Sequence, residues 1–350
     1  MISPGPLKVV TVCGASALGG SETFFVTLTL GLKRAGVDVR SALKRNRIRE
    51  AALRDAGVPF SALPFFRRFD WITERRFRRI ANAFRPDAVL TITGRGAAMT
   101  PPGDYALIGR LGGYYNFDYF RRCDYLVCNT PDLVRYVTGG GWAADRVFYI
   151  PNFPHIDPAP AVERASLGTP ARVPLAVALG RLHTNKALDV LLKAAAQIPD
   201  MWVWIAGEGE EEGRLKRMAG ELGLDQRVKF LGWRTDRGAL LKAADVCVFP
   251  SREEPFGNVV VEAWGYGVPL VAAASTGPSF LARNGEDAIL VPVDDAEALA
   301  AGIRQVLASK ELANRLVESG RKRIDQEFSE EVVIQQYLDM FERVRPKGRV

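Results

Sequence analysis

Two carboxylates with seven residues between them, Glu254 and Glu262, stand in "PSREEPFGNVVVEAWGYGVPLVAA". Pro255, Phe256 and Gly257 form a turn signal, and the helical pattern starts near Asn258. Backbone amides of Gly257, Asn258 and Val259 would then open a helix N-terminus, a natural phosphate site. Glu262 lies about four residues further in, roughly 6 Å along the axis. The two carboxylates could therefore hold opposite ends of one elongated ligand with its phosphates between them. Glu262 is also the only charge in "NVVVEAWGYGVPLVAA". Burying it unpaired would be costly, so it needs partners, and ligand hydroxyls could supply them. The plainer reading is a surface glutamate at a helix start.

A second cluster precedes it. In "LGRLHTNKALDVLLKAA" a strand ends at Gly180, Arg181 and Lys186 occupy the loop, and an amphipathic helix begins near Ala187. A lysine at a helix N-terminus is locally unfavourable unless an anion shares the site. Arg181, through its fork, and Lys186, as a point charge, could clamp a diphosphate. Two solvated loop cations are the alternative.

A third stretch, "CGASALGGSET", spaces Gly14 and Gly19 like a triphosphate loop but puts Gly20 where that motif needs lysine. Gly19 and Gly20 could still let the helix start at Ser21 approach a phosphate or an acceptor closely, with cations supplied by Arg181 and Lys186. A plain strand-to-helix turn is the alternative.

The elements that must position these residues alternate. "KVVTV", "VDVRSAL", "AVLTIT", "YALIGR", "YLVCNT" and "RVFYI" read as strands, with helices expected over 21–35 and 49–56. After six prolines between 151 and 174 the alternation restarts with "LAVALG", "MWVWIAG", "VKFLG", "DVCVFP", "PLVAA" and "AILVP". Helices are expected over 187–197, 210–222, 237–243 and 258–264, and from about 295, 310 and 329. Strand followed by helix, repeated, is the pattern of a covered parallel sheet. The fold class is thus α/β, two doubly wound Rossmann-like domains facing a cleft at the carboxyl ends of their strands. The expected organisation is a first Rossmann-like domain over 1–151, a linker over 152–174, a second Rossmann-like domain over 175–328 and a closing helix over 329–350 that returns to the first domain.

Composition fits a soluble enzyme: 350 residues, 47% hydrophobic and 25% charged, with no apolar run of transmembrane length. "MISPGPLKVVTVC" lacks a basic leader and a long apolar core, so a cytoplasmic protein is expected. Cys13, Cys123, Cys128 and Cys247 form no CxxC pair, which suits reduced thiols and no structural zinc. The net charge of +7 is uneven. Residues 1–151 hold 22 Lys and Arg against 12 Asp and Glu, the remainder 25 against 28. The first half therefore faces something anionic. Within it, residues 65–86 interleave seven arginines with Phe65, Phe66, Phe69, Trp71, Ile72, Phe77, Ile80 and Phe84. Such a segment suits an anionic lipid surface, placing the protein peripherally on the inner face of the plasma membrane. It suits equally a domain helix burying Ile72, Phe77, Ile80 and Phe84 beneath a solvated arginine face. No nucleic-acid-binding module accompanies the charge.

The order and spacing of "GRLHTNK", "IAGEGEEEGRL", "VKFLGW", "ADVCVFPSREEPFGNVVVEAWGYGVPLVA" and "DAILVPVDDAEALAAGI" resemble the C-terminal domain of retaining GT-B glycosyltransferases of family 4. The first half resembles them through "GGSETFFVTLTLGLKRAGVDV" and "YIPNF". The resemblance implies that Arg181 and Lys186 hold the diphosphate of a nucleotide sugar, which is a co-substrate, with no cofactor. It implies that Glu254 contacts donor-sugar hydroxyls and that Glu262 binds the ribose. It also implies that segments Gly207–Gly209, including Glu208, and Gly232–Trp233 border the base. Two departures stand out. Ala187 replaces the usual glycine after Lys186, a change expected to stiffen the loop. The histidine that many relatives carry in the first domain is missing, and Arg110 or the Gly112 and Gly113 backbone could replace it.

No Asp-x-Asp metal site is evident, so the leaving diphosphate is expected to be neutralised by side chains and helix amides. The resemblance further implies same-face substitution, the leaving phosphate taking the proton of a glycolipid or saccharide acceptor. A nucleotide-sugar epimerase is disfavoured because only His155 and His183 are present for acid/base work. A basic binding protein with a degenerate site is disfavoured by the intact Arg181, Lys186, Glu254 and Glu262.

Overall fold

A computed structural model of the chain describes residues 6–16, 19–66, 70–156, 158 and 160–346. They form two compact units. The first runs to Asn152 and resumes at Glu330; the second is Phe153–Ser329.

The first unit is built on seven parallel strands: β1 (Lys8–Cys13), β2 (Asp38–Lys44), β3 (Phe60–Leu63), β4 (Ala88–Thr91), β5 (Ala106–Leu111), β6 (Tyr125–Cys128) and β7 (Val147–Tyr149). Their order is β3-β2-β1-β4-β5-β6-β7. β4 and β5 are buried along their whole length, as strands covered on both faces must be. The direction of winding reverses between β1 and β4, the place where such sheets bind ligands. There Gly14 packs against the short helix Gly94–Met99: a Cβ on Gly14 would lie 2.6 Å from the Gly96 amide nitrogen. The Gly14 amide donates to Thr93 Oγ1 at 3.0 Å. Gly14 is thus a packing glycine.

The helix Trp71–Phe84 starts at an Asp70 cap and buries Phe77, Ala81 and Phe84, with Ile72 and Ile80 half-buried. Arg75, Arg76, Arg78 and Arg79 form its exposed face. Phe66 and Trp71 are 53% and 63% exposed beside it. The helix thus has the buried apolar face and solvated arginine face of an ordinary domain helix, with two exposed aromatic rings at its start; Arg67, Arg68 and Phe69 lie outside the described residues. The closing helix, Glu330–Val344, belongs to this unit, pairing Glu330 with Arg34 and burying Tyr337.

The second unit has six parallel strands: β8 (Leu175–Leu179), β9 (Trp202–Ala206), β10 (Val228–Phe230), β11 (Val246–Phe249), β12 (Leu270–Ala273) and β13 (Ile289–Val291). Their order is β10-β9-β8-β11-β12-β13, so the reversal falls between β8 and β11. These two strands pair only at Ala176–Val246 and Val177–Cys247, whereas β8 and β9 pair over five residues. β8 and β11 therefore part before their carboxyl ends and open a crevice. Helices Leu188–Ala196, Glu212–Glu221 and Ala296–Ala308 cover one sheet face, Arg237–Ala243 and Asn258–Tyr266 the other.

Much of the segment expected as linker folds onto this unit. Arg164 donates to the Ala243 and Val173 carbonyls, both at 2.9 Å, and pairs with Asp245 at 3.0 Å. Thr169 accepts the Trp204 indole proton at 2.8 Å. Its prolines hide this order by suppressing any hydrophobic period.

Candidate active site

The loops leaving β8 and β11 carry the residues singled out by sequence, and they meet at the crevice. The Lys186 ammonium pairs directly with the Glu254 carboxylate. It also lies 5.4 Å from the centre of the Phe249 ring at the end of β11. Arg181 is exposed, and its guanidinium enters no hydrogen bond or ion pair among the described residues. One cation is therefore tethered and the other available. His183 caps the short turn Thr184–Lys186: its Nδ1 accepts the Asn185 amide at 3.2 Å.

Ala187 closes that turn at φ +48°, ψ +37°. The sequence suggested only a stiffer loop, but this left-handed geometry explains why glycine suits the position and why alanine is strained there.

The helix Asn258–Tyr266 is entered through Gly257, and no side chain caps it. Glu262 does not wait for ligand hydroxyls to satisfy it: Arg237 Nη2 donates to Glu262 Oε2 at 2.6 Å. Burial pushes the Glu262 carboxyl above the usual carboxylate range, while the Arg237 charge and hydrogen bond and the Lys186 charge pull it back. Glu254, Lys186, Glu262 and Arg237 thus form a cluster of alternating charge. The Phe256 and Val259 side chains are buried in the core, Phe256 6.5 Å from Phe328, so only their backbone could meet a ligand.

The third wall follows β9. Gly207 bridges Gly232, its amide donating to the Gly232 carbonyl at 2.8 Å. A Cβ on Gly207 would lie 1.8 Å from the Gly180 carbonyl oxygen, so only glycine lets these turns touch. Glu208 Oε1 accepts the Trp233 amide at 3.2 Å, and the Trp233 ring is exposed. The Leu182 amide donates to the Glu208 carbonyl at 2.9 Å, which ties this loop to the one bearing Arg181 and Lys186.

In the first unit the helix Gly20–Arg34 starts at Gly19 with no side-chain cap. Glu22 Oε2 lies 2.7 Å from where a Cβ on Gly19 would be, so a carboxylate already favours this helix start and disfavours a phosphate there. Arg110 is not free to meet an acceptor. It is 1% exposed, donates from Nε to the Tyr337 hydroxyl at 3.2 Å and to Asn152 Oδ1, and lies 4.3 Å from the Phe24 ring centre. That side chain is a strut for the closing helix, which leaves the Gly112 and Gly113 backbone as the acceptor-side candidates. Beside Gly112, the buried Asn129 Oδ1 has no hydrogen-bond partner among the described residues.

Among the described residues no three His, Cys, Asp or Glu side chains gather as metal ligands, and no helix is long and apolar enough to cross a membrane.

Residues 161–323 match the family model "Glycosyl transferases group 1". Lipopolysaccharide core biosynthesis glycosyltransferase LpsE of Rhizobium meliloti is 34% identical over 335 residues, covering 92% of this chain and 95% of that protein. The chain belongs to the group 1 glycosyl transferases. A second relative from the same organism, lipopolysaccharide core biosynthesis glycosyltransferase LpsD, is also 34% identical and covers 93% of this chain and 95% of its own. The structure of Anabaena Alr3699/HepE in complex with UDP and glucose superposes with a TM-score of 0.83 at 20% identity, over 96% of this chain and all of that one. The fold of this glycosyltransferase is therefore the GT-B arrangement of two Rossmann-like units.

Three residues of the site gave no sequence signal. Arg237 sits 25 positions before its partner Glu262, Arg252 sits 63 after its partner Asp189, and Asn129 owes its place to the end of β6. Long-range pairing of this kind leaves no local pattern.

Proposed function

We propose that this glycosyltransferase moves a sugar, with retention, from a uridine-diphosphate sugar to a hydroxyl of a lipopolysaccharide-core saccharide. The observation that carries the reading is the charge cluster at the β8/β11 crevice, with Lys186 on Glu254, Arg237 on Glu262 and Arg181 unpaired. A nucleotide diphosphate needs what these groups offer: two cations for its phosphates and two carboxylates for ribose and sugar hydroxyls. The names of the R. meliloti relatives support the acceptor class, and the UDP bound by Alr3699/HepE supports the base.

In this reading the departing diphosphate is neutralised by Arg181, Lys186 and the amides entering the helix Asn258–Tyr266, without a metal. Glu254 orients the donor sugar, and the leaving phosphate oxygen takes the acceptor hydroxyl's proton as the new bond forms on the same face. The exposed arginines of the helix Trp71–Phe84, with Phe66 and Trp71, would hold the enzyme to an anionic leaflet where a lipid-borne acceptor lies.

A thermal-shift comparison of UDP, GDP, ADP, CMP and their sugars tests the reading. A ligand at a hundred times its Kd stabilises by about 2.7 kcal/mol. UDP and a UDP-sugar should raise Tm and the others should not; a chain indifferent to every nucleotide would refute it.

A further inference from the structure

Arg252 stands between Ser251 and Glu253, within the Glu254–Glu262 stretch but given no role so far, and several of the donor-side loops converge on it. Its backbone amide donates to the Asn185 carbonyl at 2.8 Å. Its Nη1 donates to the Thr184 carbonyl at 2.8 Å and to Asp189 Oδ1 at 3.0 Å, while Nη2 donates to Asp189 Oδ2 at 2.8 Å. Its Nε faces Asp294 Oδ1 at 2.5 Å, and Asp294 adopts a left-handed backbone (φ +63°) just beyond β13. Asn185 returns the contact, Nδ2 donating to Glu253 Oε2 at 3.1 Å.

One guanidinium therefore ties together the loop after β8, the first turn of the helix Leu188–Ala196 and the loop after β13. It does so from within the loop after β11. The pairs are strongly charged: burial pushes Asp189 up, but the Arg252 hydrogen bonds and charge outweigh it and hold the carboxyl below the usual range. The planar fork matters, because a bidentate grip on Asp189 together with a carbonyl and a second carboxylate needs four donors in fixed directions, which a guanidinium supplies and an ammonium does not.

The positions of the tied residues give this a meaning. Thr184 and Asn185 immediately precede Lys186, and Arg252 lies two residues before Glu254. On its far side the Lys186 loop is already pinned to the β9 loop by Leu182 and Glu208. We infer that Arg252 is a positioning residue that locks the Lys186 and Glu254 loops into one preorganised donor site. This rests on the donor-site reading above. Without the Arg252 guanidinium, the Lys186–Glu254 pair, the Asn185–Glu253 bond and the backbone bond from residue 252 to Asn185 remain, but the ties to Thr184, Asp189 and Asp294 that fix the loops' geometry are lost. A misplacement on the order of 1 Å can cost about 100-fold in rate.

The test compares Arg252→Met and Arg252→Lys with Arg227→Met. Arg227 is a control in the same unit, donating to the carbonyls of Ala195, Ile198 and Met201 and remote from these loops. Hydrogen–deuterium exchange on the intact chain without nucleotide should show residues 183–187 and 252–257 exchanging faster together in Arg252→Met and not in Arg227→Met. UDP-sugar hydrolysis should show kcat/KM lower by about 10- to 100-fold in Arg252→Met, partly recovered in Arg252→Lys and unchanged in Arg227→Met at matched distance from Tm. Wild-type exchange in both loops, or a kinetic loss no greater than that of Arg227→Met, would overturn the inference. A wild-type chain that hydrolyses no nucleotide sugar would count against the donor reading alone, since the exchange comparison decides the loop coupling without any ligand.

Discussion

Arg237 grips Glu262 at 2.6 Å across 25 residues of chain, yet burial still leaves that carboxyl above its ordinary pKa. A raised carboxyl pKa means that the folded state disfavours the charged form. The resulting stabilisation is present below the unfolded value, about 4.3, and is lost as pH rises through the raised folded value. At neutral pH Glu262 therefore burdens the fold. Glu262→Gln is expected to gain Tm relative to wild type as pH rises from about 4 to 7, because only the wild type must then bury a charged carboxylate. Nucleotide binding should fall in the same variant, and calorimetric scans at both pH values with and without UDP read both effects.

The Arg181 guanidinium has no partner among the described residues, so removing it should leave stability alone. Arg181→Ala is expected to keep Tm within about 1 °C while lowering kcat by about 100- to 1,000-fold, the scale of one lost charge-stabilising donor. Near-normal turnover would remove Arg181 from the site.

Ala187 lies at the balance of three terms. Relief of the left-handed conformation favours Ala187→Gly by about 1–2 kcal/mol. The lost buried methyl and the freer unfolded chain oppose it by about 0.8 and 0.4–1 kcal/mol. Chemical denaturation should thus find Ala187→Gly within about 0.5 kcal/mol of wild type. Ala187→Val, β-branched in the same conformation and fully buried, should cost about 2–4 kcal/mol.

Arg110→Met should destabilise, because it strips the buried Tyr337 hydroxyl and Asn152 Oδ1 of a charged donor. The expected cost is about 1–3 kcal/mol. Turnover well below Tm should stay close to wild type; a selective rise in acceptor KM with unchanged Tm would restore Arg110 as an acceptor residue.

Membrane attachment predicts its own outcome. Replacing both Phe66 and Trp71 by alanine removes two exposed aromatic rings without touching the buried face of the helix Trp71–Phe84. Flotation on vesicles rich in anionic lipid should fall several-fold, and neutral vesicles should bind neither form.

The second unit was legible where its signals are local. The helix Arg237–Ala243 matches its expected span, and Glu254, Glu262, Arg181 and Lys186 announce themselves by residue type and by turns immediately beside them. What stayed hidden depends on distance along the chain. Arg237, which satisfies Glu262, and the bond from Arg110 to Tyr337, 227 residues away, leave no mark in any window. β3 escaped because four edge residues, three of them half-buried, have too little length for a period, and the helix Gly94–Met99 because two of its six residues are glycine. In "CGASALGGSET" the spacing alone suggests phosphate, whereas the structure shows Gly14 packed on Gly96 and the Glu22 carboxylate beside Gly19.

Because the first unit is completed by residues from Glu330 onward, the second is in chain terms an insertion into the first. A gene fragment ending at Asn152 would encode a first unit whose Arg110 lacks Tyr337, and should yield an unstable product. Exchange of donor specificity between relatives should therefore proceed by replacing 153–329 as a cassette with both junctions kept, rather than by joining two halves end to end.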